Sequence, residues 1–209
     1  MLSEPRIKTL LDSSPTHYSI YIDILTGPTA VGKNWVAERL NKTHRTLVSI
    51  TSRPKREGEI DGEDYYFIDE RVFEESLRHG EMATTFTFDG HYYGYLKSEL
   101  DNAKERNLIP LAMIYYKVLP DFITRFPNHF IYFMYPPFNN KGLNLLKKRM
   151  LSRSAGDFEM RWQDTLEQMH AMYKAKPNLM DIYSKSRLYE IKDDQSAWKL
   201  IRDLKRKKH

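Results

Sequence analysis

The run of residues 24–34, I-L-T-G-P-T-A-V-G-K-N, constrains the fold more than any other part of this 209-residue sequence. Before it, residues 18–25 alternate and then become continuously apolar, which is typical of a buried strand, and Trp35, Val36 and Leu40 follow at helical spacing. A glycine-rich loop between a strand and a helix brings backbone N–H groups, a helix N-terminus and a lysine to one point. These groups bind phosphate, so the segment predicts a phosphate-binding loop in an α/β fold.

The loop fits the pattern G-x-x-x-x-G-K followed by Ser or Thr, except at its last position, where Asn34 stands. We expect its main chain and side chains to bind the phosphates of ATP, through Gly27, Pro28, Thr29, Ala30, Val31, Gly32, Lys33 and Asn34. The ammonium group of Lys33 can also stabilise charge on a transferring phosphoryl group, which makes it a candidate catalytic residue. The amide oxygen of Asn34 is a candidate ligand for Mg²⁺, either directly or through water.

Predicted strands and helices alternate along most of the chain, which favours a mainly parallel sheet with helices on both faces. The pattern predicts strands over 45–51, 82–88, 91–95, 108–116, 129–135 and 188–191, and helices over 69–79, 98–106, 140–152, 160–174 and 196–205. Asp69 is the expected N-cap of its helix. Asp89 and Gly90 predict a tight hairpin, which interrupts the alternation and indicates an inserted small lobe.

A second group of polar residues follows the predicted strand over 45–51. Arg53 and Arg56 flank a proline, and Ser49 and Tyr65 add hydroxyls close by. Arginine binds phosphate bidentately, so this group suits a second phosphate. The alternative is a mixed-charge surface loop in which the arginines pair with acidic neighbours, namely Glu57, Glu59, Asp61, Glu63 and Asp64. The residues by themselves leave both interpretations open.

Composition restricts the class of protein. The sequence is 41% hydrophobic and 29% charged and has no apolar run long enough to span a bilayer, so we expect a soluble globular protein. It contains no cysteine, which excludes disulfides and thiolate ligands, and residues 1–8 carry charges where a signal peptide is apolar. We therefore expect a cytoplasmic location. The basic tail over 205–208 favours a solvated helix end over a nucleic-acid patch.

Three motifs together resemble guanylate kinase. They are the phosphate-binding loop, the run S-x-x-S-R-P-x-R-x-G-E-x-D-G-x-D-Y-x-F over 49–67, and F-x-G-x-Y-Y-G over 88–94. The resemblance covers about residues 20–194 and implies transfer of a phosphoryl group from ATP to GMP or dGMP, with Mg²⁺ as cofactor. We expect small-molecule nucleotides as partners and a monomer or homodimer.

The resemblance also implies a division of the chain. It predicts an N-terminal extension (1–19), a P-loop kinase core (20–48, 98–148 and 163–209), an acceptor lobe (49–97) and a short helical lid (149–162). The acceptor phosphate would be held by Ser49, Arg53, Arg56, Tyr65 and Tyr93. The lid arginines Arg149, Arg153 and Arg161 would close over the transferring group, and with Lys33 and Arg53 they are the candidate catalytic residues. The alternative for the lid arginines is an ordinary basic helix face.

Four positions depart from the family's pattern. Thr84 stands where the family has a Glu that reads guanine, and Tyr95 where a Ser or Thr contacts the base. Residues 113–115 read M-I-Y in place of an acidic D-I-D, and Asn34 replaces the metal-binding hydroxyl. Thr84 and Tyr95 are nevertheless the candidate contacts to the acceptor base.

Because a site that loses hydrogen-bonding partners loses discrimination, these changes leave two alternatives open. One is a kinase of the same fold that acts on another phosphorylated acceptor, such as another nucleotide or a ribosyl phosphate. The other is a catalytically inactive binding module of the same fold. Retention of both loop glycines and Lys33 favours an enzyme over such a module.

Overall fold

Two β-sheets organise residues 17–152 and 158–206, the part of the chain that the computed structural model describes. The strands in those ranges are β1 (Ile22–Thr26), β2 (His44–Thr46), β3 (Ser49–Thr51), β4 (Tyr65–Phe67), β5 (Met82–Phe88), β6 (His91–Leu96), β7 (Ile109–Met113), β8 (His129–Tyr135) and β9 (Ser186–Glu190). Five of them form a central sheet in the order β2-β7-β1-β8-β9, and the other four form a small sheet in the order β4-β3-β6-β5.

Every neighbouring pair in the central sheet is parallel, which confirms the mainly parallel sheet predicted from the alternation of elements. β1 lies in the middle of this sheet, and all five of its residues are buried. Its side chains alternate between the faces: Ile24 joins one apolar cluster and Leu25 joins the other. The strand that leads into the phosphate-binding loop is therefore the most enclosed strand of the core.

Helices cover both faces of the central sheet. The described helices are α1 (Lys33–Glu38), α2 (Glu70–Arg78), α3 (Lys97–Glu105), α4 (Leu119–Arg125), α5 (Asn140–Leu151), α6 (Phe158–Ala175), α7 (Leu179–Ile182) and α8 (Asp194–Arg206), with 3₁₀ turns at Tyr116–Val118 and Lys176–Asn178. Apolar residues of α1, α5 and α8 pack in one cluster, and those of α3, α4 and α7 pack in the cluster on the opposite face, while α6 contributes Met169 to the first and Met172 to the second. None of these helices is long and apolar enough to cross a membrane.

The predicted strand over 45–51 is wrong, because the chain passes from one sheet to the other within it. β2 belongs to the central sheet and β3 to the small sheet. Between them, the Leu47 N–H donates to the Leu111 carbonyl (2.9 Å) and the Val48 N–H donates to Glu99 Oε2 (2.9 Å). Glu99 lies on α3, is 4% exposed and also accepts from the Tyr66 hydroxyl (3.1 Å). A distant carboxylate thus satisfies the backbone at a break that the apolar pattern does not show.

Other predicted elements are found with shifted ends. The strand predicted over 108–116 ends at Met113, after which the chain leaves the sheet and enters a 3₁₀ turn. The predicted hairpin is confirmed, with Asp89 and Gly90 at φ 51° and 72°, the left-handed region that such two-residue turns require. Asp69 is confirmed as an N-cap, since its Oδ1 accepts from the Val72 N–H (2.9 Å). Of the predicted N-terminal extension, 1–16 lie outside the described residues.

Candidate active site

The phosphate-binding loop lies between β1 and α1, at the carboxyl edge of the central sheet. Gly27 has φ 151°, and a Cβ there would overlap the carbonyl oxygen of Met134 at the end of β8. Gly32 is the N-cap of α1 with φ 110°, and its carbonyl accepts from the Val36 N–H (3.1 Å). The two motif glycines therefore serve different purposes: the first lets the loop approach β8, and the second turns the chain into the helix.

Lys33 lies within the curve of this loop. Its Nζ donates to the carbonyl oxygens of Gly27 (2.7 Å) and Pro28 (3.1 Å). The ammonium group is therefore held beside the first residues of the loop, where phosphate oxygens of a nucleotide would replace or join these carbonyls as acceptors. This is the arrangement expected of a loop lysine that binds phosphate.

The predicted lid contributes one arginine directly to the loop. Arg149, near the end of α5, donates through Nη1 to the carbonyl oxygens of Val31 (3.1 Å) and Ala30 (3.3 Å). Arg161 lies in α6, where its carbonyl oxygen accepts from the Thr165 hydroxyl (2.8 Å). Arg153 lies outside the described residues. A cation from the predicted lid therefore reaches the phosphate-binding loop.

The predicted acceptor-phosphate residues come together on the small sheet. Ser49 pairs with Tyr65 on one side and with Tyr95 on the other, and Thr51 pairs with Tyr93. The rings of Tyr65 and Tyr93 are 6.0 Å apart, centroid to centroid. Burial raises the pKa of Tyr65 to about 12, so its hydroxyl stays a neutral hydrogen-bond donor near neutral pH.

Arg53 is oriented by a carboxylate from its own loop. Its two terminal nitrogens donate to Glu59 at 3.0 and 2.7 Å, and its guanidinium lies 5.3 Å from the ring centre of Tyr65. Glu59 accepts a third hydrogen bond from the backbone N–H of Arg56 (2.8 Å). Burial lowers the pKa of Arg53, but the hydrogen bond and charge of Glu59 outweigh it and raise that pKa overall. Arg53 therefore pairs with an acidic neighbour, as the alternative interpretation of this loop predicts.

The candidate base contacts are both buried. Thr84 is 4% exposed and lies opposite Tyr95 in the small sheet. Tyr95 is 1% exposed, its hydroxyl donates to the carbonyl of Met113 and accepts from the Met113 N–H, both at 3.2 Å, and it is hydrogen-bonded to Ser49. Tyr95 therefore joins the small sheet to β7 of the central sheet. Its hydroxyl is engaged by the protein itself.

Sequence reasoning missed the aromatic residues beside this junction. The rings of Phe86 and Tyr93 are stacked, with centroids 5.5 Å apart and an interplanar angle of 6°. The Phe88 ring centroid lies 6.4 Å from that of Tyr93 and 4.7 Å from that of Tyr115, which follows β7. The alternation of 82–88 predicted the strand that carries both phenylalanines. Only the tertiary structure places Tyr115 against them.

Asn34 lies in a cleft between α1 and the loop that precedes β4. The cleft has a volume of about 350 Å³, and its lining includes Glu38, Arg45, Glu63 and Asp64. In the described ranges, no three His, Asp or Glu side chains come together as a metal site. Asn34 is compatible with Mg²⁺ all the same, because this ion keeps several waters and takes other ligands from phosphate oxygens.

Comparisons with known proteins identify the family to which this chain is similar. The family model for guanylate kinase matches residues 21–175. A guanylate kinase of Nostoc sp. is 36% identical over 117 residues, which is 54% of this chain and 59% of that protein. A guanylate kinase of Bacillus cereus is 30% identical over 180 residues, covering 82% of this chain and 80% of the relative. The two alignments thus span about three fifths and four fifths of the relatives' lengths.

A solved structure gives the same fold. The crystal structure of guanylate kinase from Anaplasma phagocytophilum matches with a TM-score of 0.60 at 21% identity, over 92% of this chain and 88% of that one. At this level of identity, the structural similarity shows that the two chains share a fold. Together with the family match over most of the chain, it confirms the resemblance inferred from the motifs: this protein belongs to the guanylate kinase family of phosphotransferases.

Proposed function

We propose that this protein transfers the γ-phosphoryl group of ATP to GMP or dGMP. One observation carries the proposal: the chain has a phosphate-binding loop with Lys33 and Arg149 at its carbonyls, and also an arginine that Glu59 orients in the loop following β3 of the small sheet. The two sets belong to sheets joined by the Tyr95–Met113 hydrogen bonds. An enzyme that moves a phosphoryl group between two phosphorylated molecules needs one such set for the donor and one for the acceptor.

In this proposal the loop and Lys33 hold the β- and γ-phosphates of ATP. Arg53 and Arg56 bind the phosphate of GMP, with hydroxyls from Ser49, Tyr65 and Tyr93. A phosphate oxygen of GMP forms a bond to the γ-phosphorus while the bond to the β-phosphate oxygen breaks, giving GDP and ADP. The acceptor oxygen is already anionic, so the reaction needs positioned cations more than it needs a general base.

The lid arginines Arg149, Arg153 and Arg161 supply further positive charge to the transferring group. Asn34 would hold Mg²⁺, directly or through water, and the ion would neutralise charge on the β- and γ-phosphates when bound. Arg149 is the lid residue with the strongest structural support, because it contacts the loop carbonyls next to Lys33.

A second candidate function is a kinase of the same fold with another phosphorylated acceptor, such as another nucleotide or a ribosyl phosphate. The observation that favours it is the character of the candidate base contacts. Thr84 has no carboxylate, and the hydroxyl of Tyr95 is hydrogen-bonded to the backbone of Met113. Neither side chain therefore offers guanine the two charged acceptor oxygens of a free carboxylate.

One assay separates these functions and the inactive module. ADP release is measured with GMP, dGMP, AMP, CMP, UMP and ribose 5-phosphate, each with Mg²⁺ or Mn²⁺. We expect turnover to be fastest with GMP or dGMP. Turnover only with a different acceptor would replace the proposal by the second candidate, and no turnover with any acceptor and either metal would favour the binding module.

A further inference from the structure

Tyr115, Asp164 and Gln168 form a hydrogen-bonded group that the proposed phosphate chemistry does not use. Tyr115 lies just beyond β7, at the carboxyl edge of the central sheet, and Asp164 and Gln168 lie one turn apart on α6. The Tyr115 hydroxyl donates to Asp164 Oδ1 (3.0 Å), and Gln168 Nε2 donates to Asp164 Oδ2 (2.6 Å). Gln168 is 4% exposed, so the carboxylate is held from two sides.

The direction of these hydrogen bonds determines what the group can offer a ligand. The hydroxyl proton of Tyr115 and one amide proton of Gln168 both point to Asp164, so each carboxylate oxygen keeps a second lone pair as an acceptor. Burial and the charge and hydrogen bond of Asp164 raise the pKa of Tyr115, which keeps its proton in place. Towards a ligand, Asp164 therefore presents hydrogen-bond acceptors only.

The position of this group relative to the acceptor site follows from the aromatic contacts. The Tyr115 ring is 4.7 Å from Phe88, and Phe88 lies 6.4 Å from Tyr93, one of the proposed acceptor-phosphate residues. Tyr93 in turn lies beside Tyr65, over which the Arg53 guanidinium is placed. A series of neighbouring aromatic rings thus extends from Arg53, the proposed phosphate-binding arginine, to Tyr115, whose hydroxyl contacts Asp164. Such rings stack with the flat faces of nucleobases.

We propose that Asp164, positioned by Tyr115 and Gln168, accepts hydrogen bonds from the N1–H and 2-amino groups of the acceptor guanine and so determines base specificity. This inference rests on the proposed function. Guanine presents those two donors side by side, whereas adenine has a lone pair at N1 and only a C–H at position 2. A carboxylate that offers acceptors alone matches the guanine edge and is repelled by the lone pair of adenine.

Neither of the candidate base contacts, Thr84 and Tyr95, carries a negative charge. A family member with Thr84 and a fully engaged Tyr95 needs another source of negative charge if it is to select guanine. Asp164 supplies it from a different element, the helix that also carries Arg161 three residues earlier. Base recognition and closure of the predicted lid would then involve the same helix.

The test compares Asp164→Asn with a matched control, Glu167→Gln. Glu167 lies on the same helix, its side chain is 70% exposed and it pairs with Lys117 at 3.6 Å, so its change removes a charge near the group without breaking either of the group's hydrogen bonds. The affinities of GMP, IMP and AMP are measured by calorimetry, and kcat/KM is measured for each with ATP. IMP keeps the N1–H of guanine but lacks the 2-amino group, and AMP lacks both donors.

We expect Asp164→Asn to weaken GMP binding about 10- to 100-fold, IMP binding less, and AMP binding not at all. The GMP preference over IMP should fall in parallel, while Glu167→Gln matches the parent protein. Tyr115→Phe, which keeps the carboxylate but removes the hydroxyl that orients it, should lower the GMP preference by a smaller factor. Thermal unfolding of each variant shows that the fold is retained.

The outcomes distinguish this inference from the proposed function. Loss of GMP and AMP affinity by the same factor in Asp164→Asn, or an unchanged GMP preference, overturns the role of Asp164 even if GMP is phosphorylated. Selective loss of GMP binding supports it even if turnover is absent and the proposed function fails. Failure of the parent protein to bind GMP at all overturns both.

Discussion

Arg53 and Glu59 form a bidentate ion pair within one short loop, with nitrogen–oxygen distances of 2.7 and 3.0 Å. Their side chains are 8% and 19% exposed, so the pair is largely shielded from solvent. The pair uses two of the five N–H groups of the guanidinium and a third donates to the Pro54 carbonyl (2.7 Å), which leaves two donors for a phosphate while the plane of the group is held in one orientation. Glu59 is thus the positioning residue of the proposed acceptor-phosphate site.

Glu59→Gln should lower both stability and acceptor affinity, because it removes the charge that balances a buried guanidinium. We expect a loss of about 1–3 kcal/mol in the free energy of unfolding at pH 7, measured by urea denaturation. GMP affinity should fall as well, since Arg53 is less well oriented. A variant as stable as the parent protein at pH 7 would show that the ion pair contributes nothing net.

The same pair predicts a dependence on pH. Burial opposes ionisation, but the hydrogen bonds from Arg53 and Arg56 outweigh it and lower the pKa of Glu59 below its ordinary value. The unfolded chain has a pKa of about 4.3 for Glu, so the stabilisation is fully present above that pH and is lost as the pH falls through the lower folded pKa. The difference in unfolding free energy between parent and Glu59→Gln should therefore shrink on acidification. A constant difference would contradict this assignment.

Arg53→Ala and Arg56→Ala should each weaken acceptor binding by about 1–3 kcal/mol, the scale of a charge-assisted hydrogen bond. ATP affinity should barely change, since the site proposed for the donor phosphates is the phosphate-binding loop. Arg71→Ala is the matched control, because Arg71 lies on α2, its side chain is 83% exposed and it pairs with Glu75 at 3.8 Å, away from the Arg53–Glu59 pair. Calorimetry with GMP and with ATP separates the two effects, and equal losses for both ligands would contradict the assignment.

Lys33→Ala should lower kcat by about 10²- to 10³-fold or more, since it removes a cation positioned for the transferring phosphoryl group. Lys42→Ala, a change at an exposed lysine just after α1, should leave kcat unchanged. Coupled ADP release gives the rates, and far-UV circular dichroism verifies the fold. If turnover persists in Lys33→Ala, the kinase mechanism proposed for this loop is wrong.

Asn34→Ser should improve the use of Mg²⁺, because a hydroxyl is the usual metal ligand at this position of the motif. We expect the Mg²⁺ concentration for half-maximal rate to fall by about tenfold in Asn34→Ser and to rise in Asn34→Ala. The rate is titrated with Mg²⁺ and with Mn²⁺ at saturating ATP, and excess EDTA should abolish it. Identical titration curves for all three proteins would exclude Asn34 as a ligand.

Tyr95→Phe should destabilise the junction between the two sheets. The change removes the hydroxyl that donates to and accepts from the backbone of Met113 and leaves that half-buried backbone without this partner. We expect a loss of about 1–3 kcal/mol in the free energy of unfolding, against less than about 0.5 kcal/mol for Tyr173→Phe at a position that is 61% exposed. Equal effects of the two changes would mean that the junction is not held by this hydroxyl.

The sequence by itself determined the features that depend on neighbouring residues. The phosphate-binding loop, the hairpin at Asp89 and Gly90 and the N-cap Asp69 are all local, because a turn or a helix start is set by the conformations available to a few consecutive residues. The alternation of strands and helices likewise predicted the parallel sheet. Motif spacing was enough to identify the family before any contact was known.

Only the tertiary structure decided which distant groups meet. Five acidic residues were available to Arg53, and the fold selects Glu59. Glu99 breaks a predicted strand by accepting from Val48, which lies 51 residues away in the chain. Asp164 meets Tyr115 across 49 residues. The periodicity of apolar residues indicates which face of an element is buried. Hydrogen bonds between elements depend instead on how the elements pack, and a single sequence carries no local signal for this packing.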